Sequence, residues 1–463
     1  MFEAATYRQR RASLAQALPD ALILIPGNAG MPMDFAVNHH PFVQDGCFRY
    51  FFGIDEPDLV GLVDGASGEA WLFGEDGGID AAVWTGVTPS VAERAAQVGA
   101  GAGGDLAACA AHLARAQGQG RTVAYTPPYT AEILLLIAGL VGITPEAVRA
   151  GASPALVRAI VTLREIKSAG EIAEMEAALA VTARMHHAAM AATRPGVREH
   201  HVVGCMAGIA RGADLNFAYA PILSGRGEVL HNLRYDRTLA TGELVVNDTG
   251  VKSAGGYASD ITRTFPVSGR FDPLQRRLYD TVLRAQQAAI AACVPGVRYL
   301  DLHWLAARIM VEDLHDLGLF RGAIEDVLAS GAYALAFPCG LGHQIGLDVH
   351  DMEALGEDLV GYDGDVRRSD LFGLRSLRLG KALRAGMTVT IEPGLYFIPP
   401  LIDRWRGEGR HSSLIDYDAF DRLRGFGGIR IEDDVHVGEN GARILGDPIG
   451  RTADEVEAVM AAA

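Results

Sequence analysis

The chain has 463 residues, 49% of them hydrophobic, enough for two domains with sizeable cores. Its formal net charge of −16, with no basic tract or helix to meet phosphates, argues against nucleic acid or an anionic membrane as a partner. The N-terminal MFEAATYRQRRASLAQ lacks an apolar signal core and the longest apolar run, ILLLIAGLVGI, is too short to span a bilayer, so the cytoplasm is the expected location.

From the N-terminus, the runs DALILIP, FRYFFGI, LVGLVD and EAWLF read as strands and alternate with the helical stretches VAERAAQV and LAACAAHLARA. They predict an α/β domain over residues 1–154. GAGAGG at 99–104 formally contains GxGxxG, but it follows a helix-like run instead of a strand, so no nucleotide site is expected there. Around residue 155 the pattern changes. SPALVRAIVTLREIKSAGEIAEMEAALAVTARMHHAAM reads as long amphipathic helix and opens a second domain, residues 155–463. The expected fold class is therefore α/β (α+β) in two domains.

The five cysteines, Cys47, Cys109, Cys205, Cys293 and Cys339, lack CxxC spacing, and their odd number argues against a disulfide framework. The pairs His39-His40, His186-His187 and His200-His201 cannot point the same way on a helix and are expected at the surface. Glu312 and His315 have the Glu-x-x-His spacing of di-iron bundles, but no second copy exists.

One internal repeat stands out. AAMAATRPGVR at 188–198 and AAIAACVPGVR at 288–298 agree at eight of eleven positions, each a helix ended by Pro-Gly. The offset of one hundred residues predicts two equivalent halves facing one another. Between and beyond the copies lie the residues with chemical interest. ELVVND and ITRTFPV read as two strands of a hairpin that brings Asp248 and Asp260 side by side, an arrangement that is costly unless cations separate the charges. LGHQIGLDVHD supplies His343 and His350, TIEPGLY supplies Glu392, and GIRIEDD supplies Arg430 and Glu432.

These ordered blocks resemble the two-metal peptidases of the creatinase or "pita-bread" family, nearest to its proline-specific branch of prolidases (Xaa-Pro dipeptidases) and aminopeptidases P. IKSAGEIAEM resembles the entry to that family's catalytic domain, and HHPFVQDGCFRYFFGIDEP resembles part of its N-terminal domain, with Val43 where an arginine is common. The resemblance implies a creatinase-like N-terminal domain and a pita-bread catalytic domain with a pseudo-two-fold repeat. It implies that Asp248, Asp260, His343, Glu392 and Glu432 hold two divalent ions, with Asp260 and Glu432 bridging both. Four carboxylates and one imidazole make a hard, oxygen-rich set that suits Mn²⁺ and tolerates Co²⁺ or Zn²⁺. A water shared by the ions is the implied nucleophile, with Glu392 as proton shuttle. His231 and His350 are implied to hold the substrate and the developing oxyanion, and Arg378 and Arg430 to bind substrate.

The Asp248–Asp260 spacing is one residue longer than usual in that family. The stretch from Tyr219 to His231 is shorter, which keeps His231 but argues against a role for Tyr219. Cys339 stands where relatives commonly carry histidine and is expected to be an inert filler. The expected activity is cleavage of Xaa-Pro dipeptides, because FGLRSLRLGKALRAGMTVTIEPG places Arg378 where a prolidase arginine clamps the terminal carboxylate. The alternatives are an aminopeptidase P acting on longer Xaa-Pro peptides and a non-catalytic pita-bread binding protein. Expected partners are a small peptide substrate and a second copy of the chain in a homodimer.

Overall fold

The computed structural model describes residues 1–462. The chain divides into two compact units, residues 1–165 with 352–360, and residues 166–351 with the remainder from 361.

The first unit is built on a five-stranded sheet in the order 101–104, 70–73, 60–64, 21–26, 122–124. The three inner strands pair antiparallel, and each outer strand joins in parallel. The inner strand Ala21–Pro26, ALILIP, is buried along its whole length. Helices Leu106–Gly118 and Ala131–Val141 cover the sheet, packing Leu113, Ile133 and Ile137 onto Leu22, Leu24 and Leu62.

Three sequence expectations change here. FRYFFGI is not a strand but part of the helix Gly46–Phe52. The Asp45 side chain accepts from the Phe48 N–H at its start, and Gly53 at φ +71° ends it, so the capping residues outweigh the β-preference of an aromatic run. GAGG at 101–104 is an edge strand beside Trp71 and Leu72, with no side-chain pattern by which the sequence could announce it. The break between the units falls after Glu165 instead of at 154/155. Helix Pro154–Arg164 belongs to the first unit, where the Tyr50 hydroxyl donates to the Leu163 carbonyl (2.9 Å) and Arg164 reaches the Cys47 sulfur (3.3 Å).

The expected long helix is thus two helices. The second, Ala169–Ala192, starts from a capping box in which Ser168 and Glu171 bond each other's backbone N–H. The second unit holds two three-stranded antiparallel sheets, 222–224, 244–249, 261–266 and 388–391, 433–438, 441–444, in which 244–249 and 433–438 are central. A short pair, 394–396 with 428–430, lies beside them in sequence.

The hundred-residue repeat has a backbone counterpart. Gly196 N–H donates to Leu239 O and Leu239 N–H to Val197 O; Gly296 N–H donates to Leu383 O and Leu383 N–H to Val297 O. The partners are thus offset by 144 residues (383 − 239), and the same step carries Gly242 (φ +86°) to Gly386 (φ +91°) and Asp248 to Glu392 (392 − 248). Each half of the unit therefore carries a carboxylate within one residue of the end of a like strand. No single helix among the described residues is long and apolar enough to cross a membrane.

Candidate active site

The site begins with acids at the ends of strands. Asp248 is the fifth residue of Leu244–Thr249 and stands opposite Thr262 in the antiparallel register, while Asp260 immediately precedes the strand Ile261–Pro266. His343 and Glu392 are tied to one further strand. His343 N–H donates to Thr390 Oγ1 (3.1 Å), Thr390 N–H returns to His343 O (2.9 Å), and Glu392 N–H donates to Leu341 O (2.8 Å). Glu432 sits between strands 428–430 and 433–438, its N–H on Thr262 O (3.1 Å).

All nine residues singled out from the sequence line one cavity of about 610 Å³: Asp248, Asp260, His343, Glu392, Glu432, His231, His350, Arg378 and Arg430. Within it, one donor atom from each of Asp260, His343 and Glu432 lies within 4.8 Å of the others, and all three residues are buried. His343 Nδ1 pairs with the Gln344 carbonyl (2.9 Å), which leaves Nε2 facing Asp260 Oδ2 at 3.5 Å and Glu392 Oε1 at 3.6 Å.

The electrostatics are those of anions crowded out of water. Burial, then the neighbouring Asp248, raises the pKa of Asp260; burial and the surrounding acids hold Glu432 well above the carboxylate range. Burial pushes Glu392 up to about 7 against the opposing charges of His343 and Arg430. Burial alone would lower His343, but its bond to Asp260 and the charge of Glu392 outweigh that and raise it to about 9. A cluster that binds protons this readily needs positive charge, and its hard oxygen donors with a single imidazole fit divalent cations.

Other groups shape the cavity. His350 lies flat against His343, ring centroids 3.9 Å apart and planes 17° from parallel. Burial, then the charges of His343 and Arg378, pushes His350 down to about 2, and burial with Arg430 lowers His231, so neither carries charge near neutrality. Arg430 donates to Asp248 Oδ2 (2.6 Å), the Tyr396 hydroxyl (2.8 Å) and Thr262 Oγ1 (3.1 Å), bonds that make it first a partner of Asp248. Cys339 also lines the cavity, and burial pushes its thiol up to about 12, so the sulfur is not a thiolate.

Several groups escaped the sequence reading. Tyr219, left without a role, turns its hydroxyl to Asp248 Oδ1 (2.6 Å) and Asp260 Oδ1, so two carboxylates share one donor. Thr262 Oγ1 donates to Glu432 Oε2 (2.6 Å), and Asp434 Oδ2 accepts the Asp260 N–H (3.1 Å). The register offered a signal for Thr262, which lies across from Asp248, but a buried Asp434 had none. His186, expected at the surface, is fully buried, with its ring on the Ile261 carbonyl (3.1 Å) and the Asn247 amide (3.0 Å); of that pair only His187 is exposed.

A buried set of carboxylates around one imidazole, in a cavity of about 610 Å³, has the donors of a divalent-metal site. The models of "Metallopeptidase family M24" and "Aminopeptidase P, N-terminal domain" match residues 173–439 and 7–124. The chain belongs to metallopeptidase family M24. It is 36% identical to the human Xaa-Pro dipeptidase over 65% of this chain, spanning 61% of that protein's length. It is 30% identical to the Xaa-Pro aminopeptidase of Escherichia coli over 98% of this chain and 97% of that one. Among solved structures, aminopeptidase P from E. coli in complex with substrate superposes with a TM-score of 0.80 at 28% identity, covering 100% of this chain and 99% of that one. Proline aminopeptidase P II from Yersinia pestis superposes at 0.81 and 27% identity over 100% of both. The fold of the second unit is the pita-bread arrangement of these proteins, and it follows in sequence a domain of the aminopeptidase P N-terminal type.

Proposed function

We propose that the chain hydrolyses the Xaa-Pro bond of dipeptides with a C-terminal proline. Two divalent ions, in our reading Mn²⁺, would be held by Asp248, Asp260, His343, Glu392 and Glu432. Co²⁺ and Zn²⁺ suit the same donors. Divalent cations bound there polarise a carbonyl and bring the pKa of water toward neutrality. Glu392, on the wall of the same cavity and 3.6 Å from His343 Nε2, is placed to take a proton from the attacking water and give it to the proline nitrogen. His350 and His231, uncharged on the cavity wall, offer N–H groups to the substrate carbonyl as negative charge develops on it.

The observation that carries the dipeptide reading is Arg378 on the wall of the same cavity as the acidic cluster. An Xaa-Pro bond has no N–H, so an enzyme must hold such a substrate by its ends. A guanidinium gives a carboxylate two parallel bonds and so fixes the distance from the scissile bond to the chain terminus. Arg378→Met should therefore lower kcat/KM for Ala-Pro by at least about a hundredfold and for an Xaa-Pro tripeptide far less. Efficient wild-type cleavage of tripeptides, insensitive to Arg378, would make the chain an aminopeptidase P. That second reading draws support from the nearly full-length likeness to the E. coli Xaa-Pro aminopeptidase. A non-catalytic role is disfavoured by the presence of all five ligand residues. The net charge of −16 supports peptides over nucleic acid or anionic membranes as partners, and we further propose a cytoplasmic homodimer.

A further inference from the structure

An ion pair in the second unit lies outside the cavity and outside the chemistry described above. Lys167 Nζ meets Asp351 Oδ2 at 2.7 Å, both side chains 1% exposed, and neither residue lines the cavity. Lys167 is fixed to the sheet by its own backbone, its N–H on Gly386 O (2.8 Å) and Gly386 N–H on Val437 O (2.7 Å). Asp351 closes the loop that starts at His343. Its N–H donates to Gln344 O (2.9 Å), the carbonyl that also pairs with His343 Nδ1, and its Oδ1 accepts the Asp348 N–H (3.3 Å). A methyl group at Gly346 would lie 2.6 Å from Asp351 Oδ2 and 2.9 Å from Lys167 Cε, so the loop is drawn tightly around the pair.

A buried ion pair adds little net stability, since apolar residues of like size do as well. What it adds is one fixed arrangement. From this geometry we infer that Lys167 and Asp351 are positioning residues. The pair holds loop 343–351 in register, so that His343 presents Nε2 to Asp260 and Glu392 while His350, next to Asp351, lies flat on the His343 ring. Without the anchor, the backbone of residue 351 is no longer held where its N–H meets Gln344 O, and the tautomer and tilt of His343 are no longer set by the loop. The inference rests on the proposed metallopeptidase site, and the test keeps the two apart.

The test compares the full-length wild type with Lys167→Met/Asp351→Leu, which replaces the pair by apolar groups. Three things are measured: the thermal midpoint, the visible absorption of bound Co²⁺, and kcat and KM for Ala-Pro. The double variant should melt within about 5 °C of wild type. Its Co²⁺ spectrum should change, and kcat should fall at least about tenfold while KM moves less than about threefold. A wild-type spectrum together with wild-type kcat overturns the inference. If the double variant does not fold, Asp351→Asn, which keeps an acceptor for Asp348 and removes the charge that meets Lys167, is judged by the same spectrum and the same split. If the wild type cleaves no Xaa-Pro peptide, the proposed function fails, and the spectrum alone decides on positioning: altered supports it, unaltered overturns it.

Discussion

Two strands of six residues, Ala21–Pro26 in the first unit and Ile261–Pro266 in the second, are buried along their whole length, yet one reads ALILIP and the other ITRTFP. The first is held by removal of apolar surface from water, at roughly 25 cal/mol per Å². The second is held by pairing. Thr262 Oγ1 donates to Glu432, and Thr264 Oγ1 donates to Arg430 O while accepting the Arg430 N–H. The Arg263 guanidinium, 1% exposed, reaches the carbonyls of Thr262, Glu432, Ile449 and Gly450 and the carboxylate of Asp433. Apolar burial is non-directional and degrades gradually, whereas a polar network fixes positions and fails sharply when one member is lost. The second unit uses the network where it must hold Arg430 and Glu432 against the hairpin that carries Asp248 and Asp260.

The largest effect should come from the network. Arg263→Met removes the guanidinium that Asp433 shares with Gln286 and that four carbonyls accept from, and should cost about 3–5 kcal/mol of stability, measured by denaturant unfolding. Leu24→Ala in the matching strand should cost about 2–5 kcal/mol by leaving a cavity, with kcat unchanged in the molecules that remain folded. A loss below about 1 kcal/mol for Arg263→Met would mean that ITRTFP is held by burial alone and that the contrast is false.

Next is the acid that the repeat places in register with Asp248. Glu392→Gln keeps the size but cannot accept a proton, so kcat should fall at least about a hundredfold, or about 2.7 kcal/mol, with KM changing less. A change confined to KM would leave Glu392 as a ligand only.

A smaller effect should appear with pH. His303 is fully buried beside Tyr333 and Phe337, and burial pushes its pKa down to about 3, against an unfolded value near 6.5. The unfolded chain takes up the proton first, so this contribution is whole above pH 6.5 and is lost as the pH falls toward 3. Between pH 6.5 and 5 the loss is about 2 kcal/mol. The first unit has no counterpart, because His39, His40 and His112 are all at least partly exposed. His303→Phe should flatten the fall of unfolding free energy between pH 7 and 5 by about that amount; the same slope in variant and wild type would refute the assignment.

The contrast between the strands also explains what the sequence could tell. ALILIP and ELVVND announced themselves because a β-branched or apolar run needs no partner to be recognised. The site residues were legible because Asp248, His343, Glu392 and Glu432 lie in separate short blocks, and a run of such blocks in order is rare by chance. The supporting network was not. Arg263 and Asp434 look like surface residues in a sequence, and only pairing with segments about 170 residues away allows them to be buried. Tyr219 was missed for a related reason, since its meaning depends on where a shortened loop delivers it. FRYFFGI was misread because its aromatic content outweighed Asp45 and Gly53, the two residues that cap it as a helix.

Catalysis by this chain turns on whether the buried acids of the second unit serve a divalent cation. The direct measurement is the rate of Ala-Pro hydrolysis by the full-length protein, stripped of metal by chelation and then titrated with Mn²⁺. The account predicts negligible turnover in the stripped protein and recovery that saturates at two ions per chain. Full turnover after chelation, or no turnover with two ions bound, would contradict it.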